Sequence, residues 1–219
     1  MSEPSRRVVL ATSLAALAGC LERGGGERAT PESGSQSSPS PTPTPAEVSR
    51  PVAEQFDCAG ASRPDPDIEA GVEVEYEDSD GDTRTYVSVG STEYPDPPGW
   101  GPDETPDANA VEGYAREHEE AFLWNRQAAR YEEGLWEFHV EFEDVEILDR
   151  RESVTFVRLG TVVTASFIDG RDPLAGHWFV EAEYAIDATG AARSELDPHE
   201  NGDADPPDPL ADGRLVACF

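Results

Sequence analysis

Lysine is absent from this 219-residue chain: all 16 basic residues are arginine, set against 46 Asp and Glu, for a formal net charge of −30. A phosphate-binding surface needs clustered cations, and a summed field of this sign repels a polyanion, so nucleic acid is excluded as a partner. Cysteine is scarce, with three and no Cys-x-x-Cys spacing, and neither Cys58 nor Cys218 has a histidine within ten residues. No metal motif follows from them. No apolar run reaches the roughly 20 residues that a membrane-spanning helix needs. Also missing are G-x-S-x-G, H-E-x-x-H, G-x-x-x-x-G-K and any cofactor fingerprint. No catalytic, cofactor or metal residue is assigned: in a chain with 46 carboxylates, pairs of them arise cheaply by chance.

What is present is a core of modest size, with 37 % apolar and 8 % aromatic residues. The strongly patterned stretches are 72–90, 111–148 and 153–187. Residues 51–219 hold 41 acidic and 11 basic residues, and so carry the whole −30. Acid of this density sits on a folded surface rather than in a disordered chain, because the apolar patterning is retained. Self-repulsion destabilises such a surface at low ionic strength, whereas in molar salt the Debye length falls to about 3 Å and the repulsion is screened. The composition points to a chain built for molar salt.

The N-terminus reads as an address. Arg6 and Arg7 precede an eleven-residue apolar run, Val8 to Ala18, followed by Leu17-Ala18-Gly19-Cys20. The run is too short to span a bilayer and fits the apolar region of a secretory signal. Ser5-Arg6-Arg7 resembles a twin-arginine (Tat) signal, with Val9 where Phe is commoner. Leu17 to Cys20 resembles a lipobox, which implies cleavage after Gly19 and a lipid on Cys20 that holds the protein to the membrane. Residues 20–50 contain 4 Gly, 6 Ser, 3 Thr and 5 Pro, with no apolar periodicity. This is a tether, and its Ser-Pro-Ser-Pro-Thr-Pro-Thr-Pro run favours extended polyproline conformations. The expected organisation is therefore 1–19 signal, 20–50 tether and 51–219 one acidic domain. On the twin arginines, the lipobox, the tether and the Lys-free acidic domain, the chain resembles uncharacterised haloarchaeal lipoproteins exported by the Tat route.

Within the domain, Val72 to Tyr76 and Thr85 to Val89 alternate around Asp80-Gly81, which predicts a hairpin with a two-residue turn. Val72 then faces Val89, Val74 faces Val87, Tyr76 faces Thr85 and Glu77 faces Arg84. Asp78, Asp80 and Asp82 fail the EF-hand pattern, with Thr83 at the glycine position and Val89 at the final Glu, and read as a solvated turn. Asp107 is the expected cap of a helix running to Glu132 or Glu133 and ended by Gly134. Its core stripe is Val111, Ala115, His118, Phe122, Asn125 and Ala129, with Tyr114, Ala121 and Ala128 beside it. Trp136, Phe138, Val140 and Phe142 predict a half-buried strand whose phase slips near Glu143-Asp144, and His139 points outward. Residues 154–168, apolar on both faces, predict a central strand. Trp178 to Ile186 alternate up to a turn at Asp187–Gly190, the acidic segment Glu195 to Gly213 (with His199) is an excursion, and Leu215 to Phe219 returns as a strand.

The predicted class is α+β: one long helix across a curved antiparallel sheet of about five to six strands. Its element order resembles the cystatin-like or NTF2-like class, a resemblance that implies little about function. An exported chain meets oxidising conditions. With Cys20 lipidated, Cys58 and Cys218 remain as a pair and predict a disulfide. His118 and Asn125, two turns apart on the core stripe, are buried polar groups with partners or else a ligand or acid–base site. In the second case His177 and Asp187 are available contributors. Trp100 edges a concave face under the helix. These residues support two functions: a lipid-anchored surface module binding an unknown extracellular ligand or envelope protein, or an extracellular hydrolase-like enzyme with a site between helix 107–133 and the sheet.

Overall fold

The computed structural model describes residues 50–78, 80–101, 104–169, 172–196 and 207–219. Arg6, Arg7, Cys20, the tether and His199 lie outside the described residues. The element order is α1 (Val52–Gln55), β1 (Glu73–Glu77), β2 (Thr83–Val87), α2 (Ala108–Tyr131), β3 (Leu135–Arg151), β4 (Val154–Asp169), β5 (Asp172–Asp187), β6 (Gly190–Glu195) and β7 (Arg214–Cys218). Strands β3 to β7 form one antiparallel sheet in sequence order, and β1 and β2 form a second sheet of two strands. The class is α+β, as expected.

The Asp107 carboxylate accepts from the Asn109 N–H at 2.9 Å and caps α2. The helix ends through Glu132 at φ 50°, not at Gly134, and a short 3-10 turn, Glu132–Gly134, leads into β3. The core stripe is buried as predicted except at its last position, where Ala128 turns inward and Ala129 outward. Val111, Tyr114, Ala115 and Phe122 pack on Val157, Leu159, Tyr184 and Ile186 of the sheet. Burial of each large apolar side chain contributes about 1.5–3 kcal/mol.

Strand β4 is the buried strand between β3 and β5, and a β3 register shift falls between Phe142 and Asp144, where the phase slip places it. Among the described residues, the opposite face of the sheet is covered at one end. There Val52 and Phe56 pack with Val154, Phe156, Ala185 and Leu215. Cys58 and Cys218 form a disulfide with Cα atoms 6.0 Å apart, closing 160 residues of chain.

The hairpin departs from its expected register by one residue. Val74 faces Tyr86 and Tyr76 faces Arg84. The cause is a turn of three residues rather than two: the Gly81 N–H bonds the Asp78 carbonyl at 3.0 Å, and Gly81 stands at φ 85°, the left-handed residue such a turn requires. A one-residue slip flips the strand's side chains to the other face. Tyr86 therefore packs on Trp136, with ring centroids 5.0 Å apart, and Val87 is left 51 % exposed. Asp78 accepts from the N–H groups of Asp80 and Asp82 and from Arg84 Nε at 2.7 Å, so its carboxylate is used within the turn.

Candidate functional site

The space between the first half of α2 and the sheet is filled by charge turned inward. Glu119 and Arg193 lie 0 % and 1 % exposed. Arg193 donates to Glu119 through Nε and Nη2, both at 2.7 Å, and Nη2 also reaches Glu195 at 2.7 Å. Arg126 donates to the same Glu195 from the helix. Tyr184, fully buried on β5, donates its hydroxyl to Glu119 at 2.8 Å, and its oxygen lies 3.0 Å from Nδ1 of His118. The guanidinium of Arg193 sits 4.1 Å over the Phe122 ring.

Burial works against the charge on Arg193, but Glu119 outweighs it, with Tyr184 and Glu195 adding to the effect, and the guanidinium is held in its charged form. Burial would lift the Glu195 carboxyl, yet Arg193 and Arg126 hold it below the usual range. Burial, then the neighbouring charges of Arg63 and Arg193, push His118 down to about 3, so the ring is neutral. A neutral ring facing a hydroxyl that is already donating to a carboxylate carries its proton on Nδ1. Its Nε2 makes no hydrogen bond, although the Val216 backbone interacts weakly with the ring. Tyr94 and Tyr114 wall the ring off, with centroids 5.0 and 5.8 Å away, and Arg63 lies 4.2 Å over Tyr94. Outside that wall is a polar cleft of about 520 Å³ lined by Arg63, Asp65, Glu93 and Asp96.

The five residues singled out by sequence, His118, Asn125, Trp100, His177 and Asp187, do not meet. His118 belongs to the Glu119 network. Asn125, fully buried, clamps the loop ahead of the helix, accepting from the Thr92 N–H at 2.8 Å and donating to its carbonyl at 2.9 Å. Next to that clamp Trp124 donates to the Gly90 carbonyl, and at Gly90, φ 69°, a Cβ would stand 2.6 Å from the Ala70 backbone, so only glycine fits. Trp100 packs edge-on against Tyr114 and Phe219. His177 is exposed on β5 opposite Thr164. Asp187 binds the N–H groups of Val52, Thr189 and Gly190, tying α1 to the β5–β6 turn. His139 is exposed, as its strand phase predicts.

A large concavity lies beyond the network, under the second half of α2. It is a groove of about 840 Å³ between the helix and β5, lined by Arg130, Tyr131, Phe167, Trp178 and Val180, with Arg126 and Glu195 at its inner end. Tyr131 stacks on Phe167 with centroids 3.8 Å apart. In the groove Arg126 and Glu195 pair with each other, and in the sealed half Glu119 is occupied by Arg193 and Tyr184. The open surface is thus largely apolar, with Arg126, Arg130, Glu181 and Glu195 around it: it can bind, and among the described residues it shows no nucleophile paired with a base. No family model matches the chain, and comparison with curated proteins and with solved structures finds no match.

Glu119 and Arg193 escape a reading of the sequence because they lie 74 positions apart. A local signal does exist for the first. Glu119 sits four residues after Ala115 and three before Phe122, inside the core stripe, where an acid needs a cation.

Proposed function

We propose that the chain is a lipid-anchored protein on the outer face of a halophile's cell membrane, exported by the twin-arginine route, whose domain is a non-catalytic binding or interaction module. The observation that carries this is the Cys58–Cys218 disulfide. Such bridges form and persist in oxidising compartments, which agrees with export. The twin arginines, the lipobox at Cys20 and the Ser/Pro/Thr tether supply route, anchor and spacer. The ionised groups between helix and sheet are consumed by one another, which favours a binding surface over an acid–base site.

The test is the intact mass of protein extracted from membranes in molar salt, with and without Cys20→Ser. A lipid-sized increment that disappears in the variant is the expected result. An unlipidated mature mass contradicts the anchor.

A further inference from the structure

The groove lies beside a stretch of β5 that, among the described residues, has no neighbour on the side away from β4. β6 pairs with β5 only from Ala182 to Asp187, and the bond from the Leu196 N–H to the Glu181 carbonyl, 3.0 Å, extends that ladder by one residue. In an antiparallel ladder a residue turns both backbone groups to the same neighbour, and successive residues alternate. Glu181 therefore sets the direction of its odd-numbered predecessors. Ala175, His177 and Phe179 point their N–H and C=O groups at the open side, up to Pro173, which has no N–H to offer.

This free stretch, Leu174–Val180, contains no acidic residue in a chain that has 46. Leu174 and Phe179 are 44 % and 47 % exposed, two of the three exposed large hydrophobics among the described residues. Natural edges are blunted by charge, proline or a covering element. β3, the outer edge of the same sheet, is dressed with Glu137, Glu141, Glu143, Asp144 and Glu146.

We propose that Leu174–Val180 pairs with the same segment of a second copy, antiparallel about a two-fold axis at His177. Three properties of the segment select a second copy as the occupant. Its free length is bounded by Pro173 and Glu181 and is centred on residue 177, so two copies overlap along all of it. About that centre, two large residues meet small ones, Phe179 facing Ala175 and Trp178 facing Gly176, while the aliphatic Leu174 faces Val180. A chain of net charge −30 meets its own copy with least repulsion at a segment free of acid, and molar salt screens the remainder. The two His177 residues form a hydrogen-bonded pair at the centre, with Cα atoms about 5.5 Å apart. Lipid anchoring of both copies to one surface raises their effective concentration and favours the pair.

The proposal rests on the interaction-module half of the functional reading and not on the anchor, so a lipidated monomer would overturn the dimer and leave the anchor standing. The experiment uses the full chain carrying Cys20→Ser in molar KCl. Sedimentation equilibrium is expected to show a dimer that is lost in His177→Glu, which sets two carboxylates face to face, and in Phe179→Asp. Both sites are exposed, and an unchanged circular dichroism spectrum confirms the fold. Independently, His177→Cys should give a covalent dimer on mild oxidation, since the expected Cα separation lies within disulfide range. Phe179→Cys, facing Ala175, should not. A monomeric wild-type chain at all concentrations, a dimer indifferent to both acidic substitutions, or cross-linking equal at the two positions would each overturn the proposal. A peptide or small molecule that fills the groove of a monomer falls under the first of these.

Discussion

The two halves of α2 lie over the same sheet and treat it in opposite ways. Under the first half, Glu119, Arg193, Tyr184 and His118 close on one another, Tyr94 and Tyr114 cover them, and the disulfide ties the neighbouring β7 to the start of the domain. Under the second half no strand pairs with the first part of β5 on that side among the described residues, the space stays open, and aromatic rings face solvent beside an edge without acid. Buried ion pairs are poor sources of net stability, because desolvation offsets most of the attraction, but they fix which elements meet. The first half holds the fold in register. The second is free for association because the first does that work.

Breaking the sealed half should cost most. Arg193→Met strands the Glu119 carboxylate without its cation and should lower unfolding free energy by about 3–5 kcal/mol, whereas the double change Glu119→Met with Arg193→Met should recover much of it. Denaturant unfolding in molar KCl checks both. Removing the bridge with Cys58→Ser and Cys218→Ser comes next, at about 2–5 kcal/mol, since the unfolded chain regains the freedom of a long loop.

The third effect is a pH dependence with a fixed sign. His118 is pushed down to about 3 in the folded state from an ordinary 6.5, so the unfolded chain binds its proton first. Its contribution to stability is complete above 6.5 and falls by about 1.4 kcal/mol per pH unit between 6.5 and 3. His118→Gln should flatten that part of the stability profile, which unfolding curves at pH 7 and 5 would show. Asn125→Ala, between the two halves, should cost about 1–3 kcal/mol by leaving the Thr92 backbone groups without partners. In the open half, Phe179→Asp should change stability by no more than about 0.5 kcal/mol, as surface substitutions do, while removing self-association. A large loss of stability there would dissolve the contrast between the halves.

Much of the fold was legible because it is written in local periodicity. The Asp107 cap, the helix stripe, the β3 phase slip and the buried β4 are each decided by neighbouring residues. What escaped depends on distance or on small side chains. The hairpin register turned on one extra turn residue. β6 is Gly-Ala-Ala-Arg-Ser-Glu, a strand with no bulky β-former to announce it, although its first five residues are buried. Of the candidate residues, His118 and Asn125 lie in the core as their stripe predicts, but their partners Tyr184 and Thr92 come from remote segments. Glu119 is one acid among 46, and the arginine that gives it meaning stands 74 positions away.

That arginine also marks the limit of the acidic design. Among the described residues six arginines form ion pairs with carboxylates, few beside the 41 acidic residues of 51–219, so the domain's charge is overwhelmingly negative. On the proposed reading, a domain of this charge stays compact only where salt screens it. Circular dichroism of the full chain, followed from molar KCl down to low salt at constant pH, tests this most directly. The account predicts loss of the folded signal as the salt is removed and its return when KCl is restored; an unchanged spectrum across the series would contradict it.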